Sequence, residues 1–349
     1  MIEQPTRLLH YPHELTLGGG SVHTVQLLKD HQRLGFPAAC ATLQDGILSD
    51  ELKAAGIPVF LLQREEDLYE VARDWNAEII HGHTCGGGSY GNTVGRRLRA
   101  EGKRIIFGEH IHSVVGGCPD GDFEVAEIEG MRNLRPGIEI IPWAVVPERI
   151  TPTATRKELR QQWGIPEDKY VIARHGRLDG PKLPEHFIRA LAQLPDCYGI
   201  LSGWGPMAQQ LSELAWELGC SPRLRMLGLY TQPGNVFEAA DCVVYPTHDE
   251  SWCAGVIEPL LFGMPVVAYP VGGIGENLIH GQTGLHARNV DGLVRAVRAF
   301  QQYPETARKL GREGRTRLVD KGVHDPLLEA QRHLELYRRV RKEKFHEDR

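Results

Sequence analysis

Asp241-Cys242-Val243-Val244-Tyr245-Pro246-Thr247-His248-Asp249-Glu250-Ser251-Trp252-Cys253-Ala254-Gly255-Val256-Ile257-Glu258 decides how this chain is read. Its first five residues are a short apolar run of the kind that forms a strand buried on both faces, and helical spacing starts near Ala254. Strand, loop and helix in that order make a β-α unit, the building block of an open parallel sheet. Two carboxylates, Glu250 and Glu258, bracket the helix start. Backbone N–H groups at such a start suit an anion, and carboxylates offer several acceptors to sugar hydroxyls. Glu250 as a plain loop residue and Glu258 as a solvated helix position are the ordinary alternatives.

The same grammar runs outward in both directions. Upstream, Tyr170–His175, Tyr198–Ser202 and Leu224–Leu227 are strand candidates, and downstream Pro265–Tyr269 is another. Together they predict one open parallel sheet. The first half repeats the pattern with Ala38–Leu43, Val59–Leu62, Glu78–His81 and Arg104–Phe107. Val22, Val25, Leu28 and Leu34, and then Leu68, Val71, Ala72 and Trp75, recur at helical spacing. The pattern restarts after Ile138–Trp143 and a Thr/Pro-containing connection from Pro147 to Thr155. Two α/β domains follow: residues 1–143 and residues 144–325, with a last helix at about 326–349 long enough to return to the first domain. Two open sheets facing each other would bind a ligand at the carboxyl ends of their strands.

The 349 residues exceed what one core usually organises, and 41% apolar with 24% charged residues suits two globular cores. A formal charge of −5 argues against nucleic acid as the main partner. No apolar run approaches membrane-spanning length, and Met1–Leu9 lacks the features of an export signal. Seven cysteines without paired spacing fit a reducing compartment, so a cytoplasmic protein is expected. Arg338-Arg339-Val340-Arg341-Lys342 could meet an anionic membrane, but basic residues late in a helix are better read as complementing its dipole.

A second constellation, His175-Gly176-Arg177-Leu178-Asp179-Gly180-Pro181-Lys182, places two cations directly after a strand. Fixed Arg and Lys groups can stabilise a departing diphosphate without a metal ion. Taken alone, Arg177 paired with Asp179 at the surface is the simpler reading. Glycine clusters at Gly18-Gly19-Gly20, Gly86-Gly87-Gly88, Gly203-Trp204-Gly205 and Gly272-Gly273-Ile274-Gly275 follow strand candidates and would let a backbone approach a phosphate or sugar. None has the spacing of a nucleoside-triphosphate loop.

Four motifs in order, Arg177-x4-Lys182, Gly203-x-Gly205-Pro206, Glu250-x7-Glu258 and Gly272-Gly273-x-x-Glu276 with Gly281-x-x-Gly284, resemble those of the retaining glycosyltransferases of family 4, which have the GT-B fold. The likeness is strong from about Ile138 to Ala287. It is looser in the first half, where Gly18-Gly19 with Ser21 and Glu109-His110 resemble the family's glycine loop and strand-end histidine. The resemblance implies transfer of a hexosyl or N-acetylhexosaminyl group from a nucleotide diphosphate sugar to a hydroxyl, with retention and without a metal. Arg177 and Lys182 would hold the diphosphate, Glu258 the ribose, and Glu250 the donor hydroxyls. His110 would contact the donor sugar. Gly19, Gly20, Gly203, Leu229 and the segment Ser251, Trp252, Cys253 and Ala254 would complete the donor site, with a UDP-sugar expected and Gly228-Leu229-Tyr230 near the base.

Departures from the family pattern are Trp143-Ala144 in place of Asn-Gly, Leu183 in place of Gly, and Ser251-Trp252 in place of Gly-Phe. Between His112 and Ile138 the chain is short where relatives carry another helix and strand, so the acceptor half is expected to be shortened. Two other activities compete: a nucleotide-sugar epimerase or silent donor-binding protein of the same fold, and a metal-dependent hydrolase built on His81, His83, His110, His112 and Cys85. Sugar, acceptor and oligomeric state are not legible.

Overall fold

The computed structural model describes residues 6–16, 18–84, 90–111 and 121–346. Gly86-Gly87-Gly88, Cys85, His112 and Cys118 lie outside them. The chain divides into two units, Met1–Ala144 with Asp325–Arg349, and Val145–His324.

In the first unit the described strands are β1 (Leu8–Pro12), β2 (Ala38–Thr42), β3 (Val59–Leu61), β4 (Ile79–Thr84), β5 (Ile106–Ile111), β6 (Phe123–Ala126) and β7 (Glu139–Ile140). They form one parallel sheet in the order β3-β2-β1-β4-β5-β6-β7. β1 is the strand at which the order turns, with β2 and β3 on one side and β4 to β7 on the other, and it pairs with β4 from Leu8 opposite Ile79 to Pro12 opposite His83. Apolar residues on the two faces pack into separate clusters. One contains Leu8, Val25, Leu28, Ile79 and Ile106, and the other Leu9, Ala39, Ile80, Val94 and Phe107. The last helix, Pro326–Phe345, starts where the Asp325 side chain accepts the N–H groups of Leu327 and Leu328. Its Leu334, Tyr337 and Val340 join the first of those clusters, which fixes the helix to this unit.

Two expectations change here. Ile138–Trp143 is not a full strand: only Glu139–Ile140 pair, and Trp143 and Ala144 turn to side-chain partners instead. The stretch before it is not bare. β6 joins β5 and β7, and a helical turn, Met131–Leu134, follows. Thus the described part of the 113–137 segment supplies both a strand and a short helix.

The second unit has β8 (Tyr170–His175), β9 (Cys197–Ser202), β10 (Leu224–Gly228), β11 (Cys242–Tyr245), β12 (Val266–Ala268) and β13 (Leu285–His286), all parallel in the order β10-β9-β8-β11-β12-β13. The order turns between β8 and β11, the point where such a sheet opens a crevice beyond its strand ends. Its first long helix, Arg156–Gln162, begins in a capping box formed by Thr155 and Glu158. Among the described residues, no helix is long and apolar enough to cross a membrane.

Candidate functional site

β8 and β11 deliver the charged residues of the second unit. Beyond β8 the chain turns through Gly176 and Arg177 into the tight turn Gly180–Lys182. Arg174 determines the form of that turn. It is fully buried, its Nη2 donates to the carbonyls of Arg177 at 3.1 Å and Lys182 at 3.0 Å, and its guanidinium lies 5.0 Å from the centre of the Tyr245 ring. A buried guanidinium needs acceptors for its N–H groups, and here Nη2 finds them at the two ends of the turn while Nε has none. The Lys182 end is also joined to the loop after β11, because His248 N and Thr247 Oγ1 both donate to Pro181 O at 3.1 Å.

Lys182 and Glu250 meet at this junction. Lys182 Nζ lies 2.8 Å from Glu250 Oε1 and donates to Asp249 O at 2.8 Å. Both side chains are largely buried, at 14% and 10% exposure. An ammonium has three N–H groups, and these two partners take two of them. Behind Glu250, Gly272 has φ +49, and a Cβ there would stand 1.7 Å from the Glu250 carbonyl oxygen. Only glycine fits, and Gly273 N donates to Ser251 O at 2.7 Å to close the loop. Gly203 is a second such position: at φ +138, its Cβ would come within 1.8 Å of Gly176 O. Ser251, Trp252 and Cys253 lead into the helix Ala254–Phe262, with Cys253 in the left-handed region at φ +64 and Trp252 buried. Burial pushes the Cys253 thiol well above its ordinary range.

The other two charged residues have separate partners. Arg177 forms an ion pair with Asp179 at 3.1 Å and its side chain is 54% exposed. Glu258 is buried, and its Oε1 accepts from Arg149 Nε at 3.0 Å. The expected core of four is therefore one joined pair, Lys182 with Glu250, and two residues held elsewhere in the same unit. Near Glu258, His175 shares a hydrogen bond of 3.0 Å with Ser202 Oγ. Burial pushes His175 down to about 4, although the Glu258 charge acts the other way. Leu229 is exposed on the loop after β10, while the neighbouring Tyr230 hydroxyl accepts from Asn235 Nδ2 at 3.0 Å. Leu183, where relatives carry Gly, adopts φ +43 and keeps the left-handed turn at the cost of strain.

In the first unit His110 lies on β5 with no exposure, and its Nε2 accepts the indole N–H of Trp143 at 3.0 Å. The indole also stacks on His23 at 4.3 Å between ring centres. A donor-sugar contact by His110 needs access that this arrangement does not give. Gly19 and Gly20 open the helix Gly19–Arg33, and a Cβ on Gly19 would meet Trp143 at 3.9 Å. Trp143 thus packs between His23, His110 and the start of this helix. Among the described residues of this unit, seven histidines, His10, His23, His31, His81, His83, His110 and His333, are buried.

Sequence reasoning missed Arg174, Arg149 and His333. Arg174 did leave a signal, a charged residue inside the apolar run Tyr170–His175. Arg149 and His333 left none, since their partners are remote in sequence.

Two parallel sheets of this topology define the GT-B class of glycosyltransferase fold. Solved structures share that fold. A glycosyltransferase from Rickettsia africae has a TM-score of 0.81 at 17% identity, covering 96% of this chain and 98% of that one. Anabaena Alr3699/HepE in complex with UDP has a TM-score of 0.81 at 18% identity, covering 95% and 99%. Residues 155–317 match the family described as "Glycosyl transferases group 1", so the second unit belongs to that family. A D-inositol 3-phosphate glycosyltransferase of Mycolicibacterium smegmatis is 30% identical over 230 residues, which is 61% of this chain and 52% of that protein. The chain spans about half the length of the curated relatives it matches.

Proposed function

We propose that this protein is a retaining glycosyltransferase that uses a nucleotide diphosphate sugar, with UDP as the expected carrier. The observation that carries the reading is the Lys182–Glu250 pair beside the start of the Ala254–Phe262 helix. Lys182 keeps one N–H for a phosphate oxygen, and the helix start favours the same negative charge. The Alr3699/HepE structures with UDP and with UDP-glucose support the choice of base and donor class.

In this reading the bond between the anomeric carbon and the β-phosphate oxygen breaks, and charge grows on the diphosphate. Lys182 and Arg177 stabilise that charge. Arg177 leaves Asp179 at small cost, because an exposed ion pair contributes only about 0–1 kcal/mol. The acceptor hydroxyl attacks the same face of the sugar, and the leaving phosphate oxygen takes its proton. Glu250 positions donor hydroxyls through its carboxylate, and Glu258 uses Oε2 for the ribose while Arg149 holds Oε1. No side-chain nucleophile is needed, unlike the two-carboxylate route of retaining glycosidases. Fixed cations perform the electrostatic role, so the transfer step needs no metal, and a cytoplasmic setting supplies such donors.

The test is incubation of the protein with UDP-glucose, UDP-galactose, UDP-N-acetylglucosamine and GDP-mannose in the presence of pooled hydroxyl acceptors. Release of nucleoside diphosphate with formation of a glycoside, unchanged by added Mg²⁺ or Mn²⁺, is the expected result. Interconversion of donors without acceptor would instead establish an epimerase.

A further inference from the structure

The buried histidines of the first unit come from five elements: β1, the helix Gly19–Arg33, β4, β5 and the helix Pro326–Phe345. Most of them hydrogen-bond to each other or to nearby side chains. His10 bridges His83 through Nδ1 at 2.9 Å and His31 through Nε2 at 3.2 Å. His333 differs. Its Nδ1 lies 3.0 Å from the Glu329 carbonyl oxygen, an acceptor only, so Nδ1 carries the proton and donates it. The lone pair is therefore on Nε2, which is buried and has no hydrogen-bond partner. An acceptor left so costs about 1–3 kcal/mol, a penalty that a ligand would remove.

Two more imidazoles pack beside the His333 ring. Ring centres of His81, His110 and His333 form a near-equilateral triangle, with sides of 5.8, 5.6 and 5.6 Å. One nitrogen from each lies within 4.8 Å of the other two. Bound to one ion at about 2.0–2.1 Å, the three nitrogens would draw in to roughly 3.4 Å from each other. His333 and His81 are also braced as metal-ligating histidines usually are, by a hydrogen bond at the other ring nitrogen. For His333 the brace is the Glu329 carbonyl, and for His81 it is the Tyr337 hydroxyl at Nδ1.

We propose that His81, His110 and His333 bind one divalent transition-metal ion of the zinc type, which ties the last helix to β4 and β5. Three imidazoles without a thiolate suit Zn²⁺, Co²⁺, Ni²⁺ or Cu²⁺, and a tetrahedral site would be completed by water. At His110, Nε2 accepts the Trp143 N–H and lies 3.7 Å from Glu127 Oε1, so the ion binds either in place of that donor or at Nδ1 after its proton leaves. Charge supports the assignment. Among the described residues this unit buries the carboxyl groups of Glu109, Glu127 and Glu329 and no Lys or Arg. The site lies wholly in the first unit and is independent of the donor reading, so either can fail without the other.

The test uses untagged full-length protein, stripped with a chelator, dialysed, and then titrated with Zn²⁺ and with Co²⁺ as a spectroscopic probe. Expected are one ion per chain, a rise in melting temperature, and the visible absorption of four-coordinate Co²⁺. His333→Gln should abolish the Co²⁺ spectrum. Tyr337→Phe, which keeps all three ligands and the ring, should weaken Zn²⁺ by about tenfold. His10→Gln should leave binding intact, which separates this site from the adjacent His10, His81 and His83 group. Absence of stoichiometric Zn²⁺, wild-type affinity in Tyr337→Phe, or loss of binding in His10→Gln with retention in His333→Gln would each overturn the proposal. If His333→Gln does not fold, Tyr337→Phe and His10→Gln decide.

Discussion

Lys182 Nζ stands 2.8 Å from Glu250 Oε1, joining the turn after β8 to the loop after β11. Residues 68 apart in sequence thus share one charge pair at the point where the strand order of the second sheet turns. Lys182 has a structural partner as well as a proposed phosphate. Lys182→Ala should lower the transfer rate about a hundredfold, the usual cost of losing one preorganised donor. It should also lower unfolding stability by about 1–3 kcal/mol, because Glu250 is left mostly buried without its partner. Glu250→Gln in the same chain should restore most of that stability and none of the rate. Urea unfolding alongside a nucleoside diphosphate release assay separates the two effects.

Arg177 should behave differently. Its ion pair with Asp179 is half exposed, so Arg177→Ala is expected to change stability by less than about 0.5 kcal/mol. Donor affinity or turnover should still fall about tenfold or more if the guanidinium moves to the diphosphate. A loss of stability without a change in kinetics would assign Arg177 to the surface alone.

Arg149→Ala leaves the Glu258 carboxylate buried without its guanidinium partner. Breaking a buried pair by removing one partner costs about 3–5 kcal/mol, and the 29% exposure of Arg149 reduces this to about 2–3 kcal/mol. Arg149→Ala with Glu258→Gln should recover much of the loss, as a double-mutant cycle of chemical unfolding would show.

His175 predicts how the second unit responds to acid. Burial lowers it from 6.5 to about 4, so between those values the unfolded chain binds a proton that the folded unit does not. Its contribution is therefore full above pH 6.5 and declines as the pH falls toward 4. His175→Gln should flatten that part of the stability profile while leaving the region above pH 7 parallel to the parent. An unchanged slope between pH 6.5 and 4 would contradict the burial argument.

The parallel α/β architecture was legible because apolar runs buried on both faces need no partner to announce themselves: Tyr170–His175 was read with the bounds the strand has. β6 was missed because Phe123-Glu124-Val125-Ala126 is short and carries a carboxylate, which Arg135 neutralises from 11 residues away. Lys182 and Glu250 were legible as a spaced motif, yet their direct pairing was not. Arg149 with Glu258 is 109 residues apart, and Glu329, which pairs with His23 and the Ala144 N–H, lies 306 from His23. Periodicity and spacing report what neighbours in sequence do, whereas these contacts exist only once the sheets have formed.

The central claim is that the turn and loop joined by Lys182 and Glu250 hold a nucleoside diphosphate. Calorimetric titration of UDP into the parent protein and into Lys182→Ala, with folding of both checked by circular dichroism, tests it most directly. The account predicts one UDP per parent chain and binding at least about tenfold weaker in the folded variant. Equal binding by the two, or no binding of UDP, GDP or ADP by the parent, would contradict it.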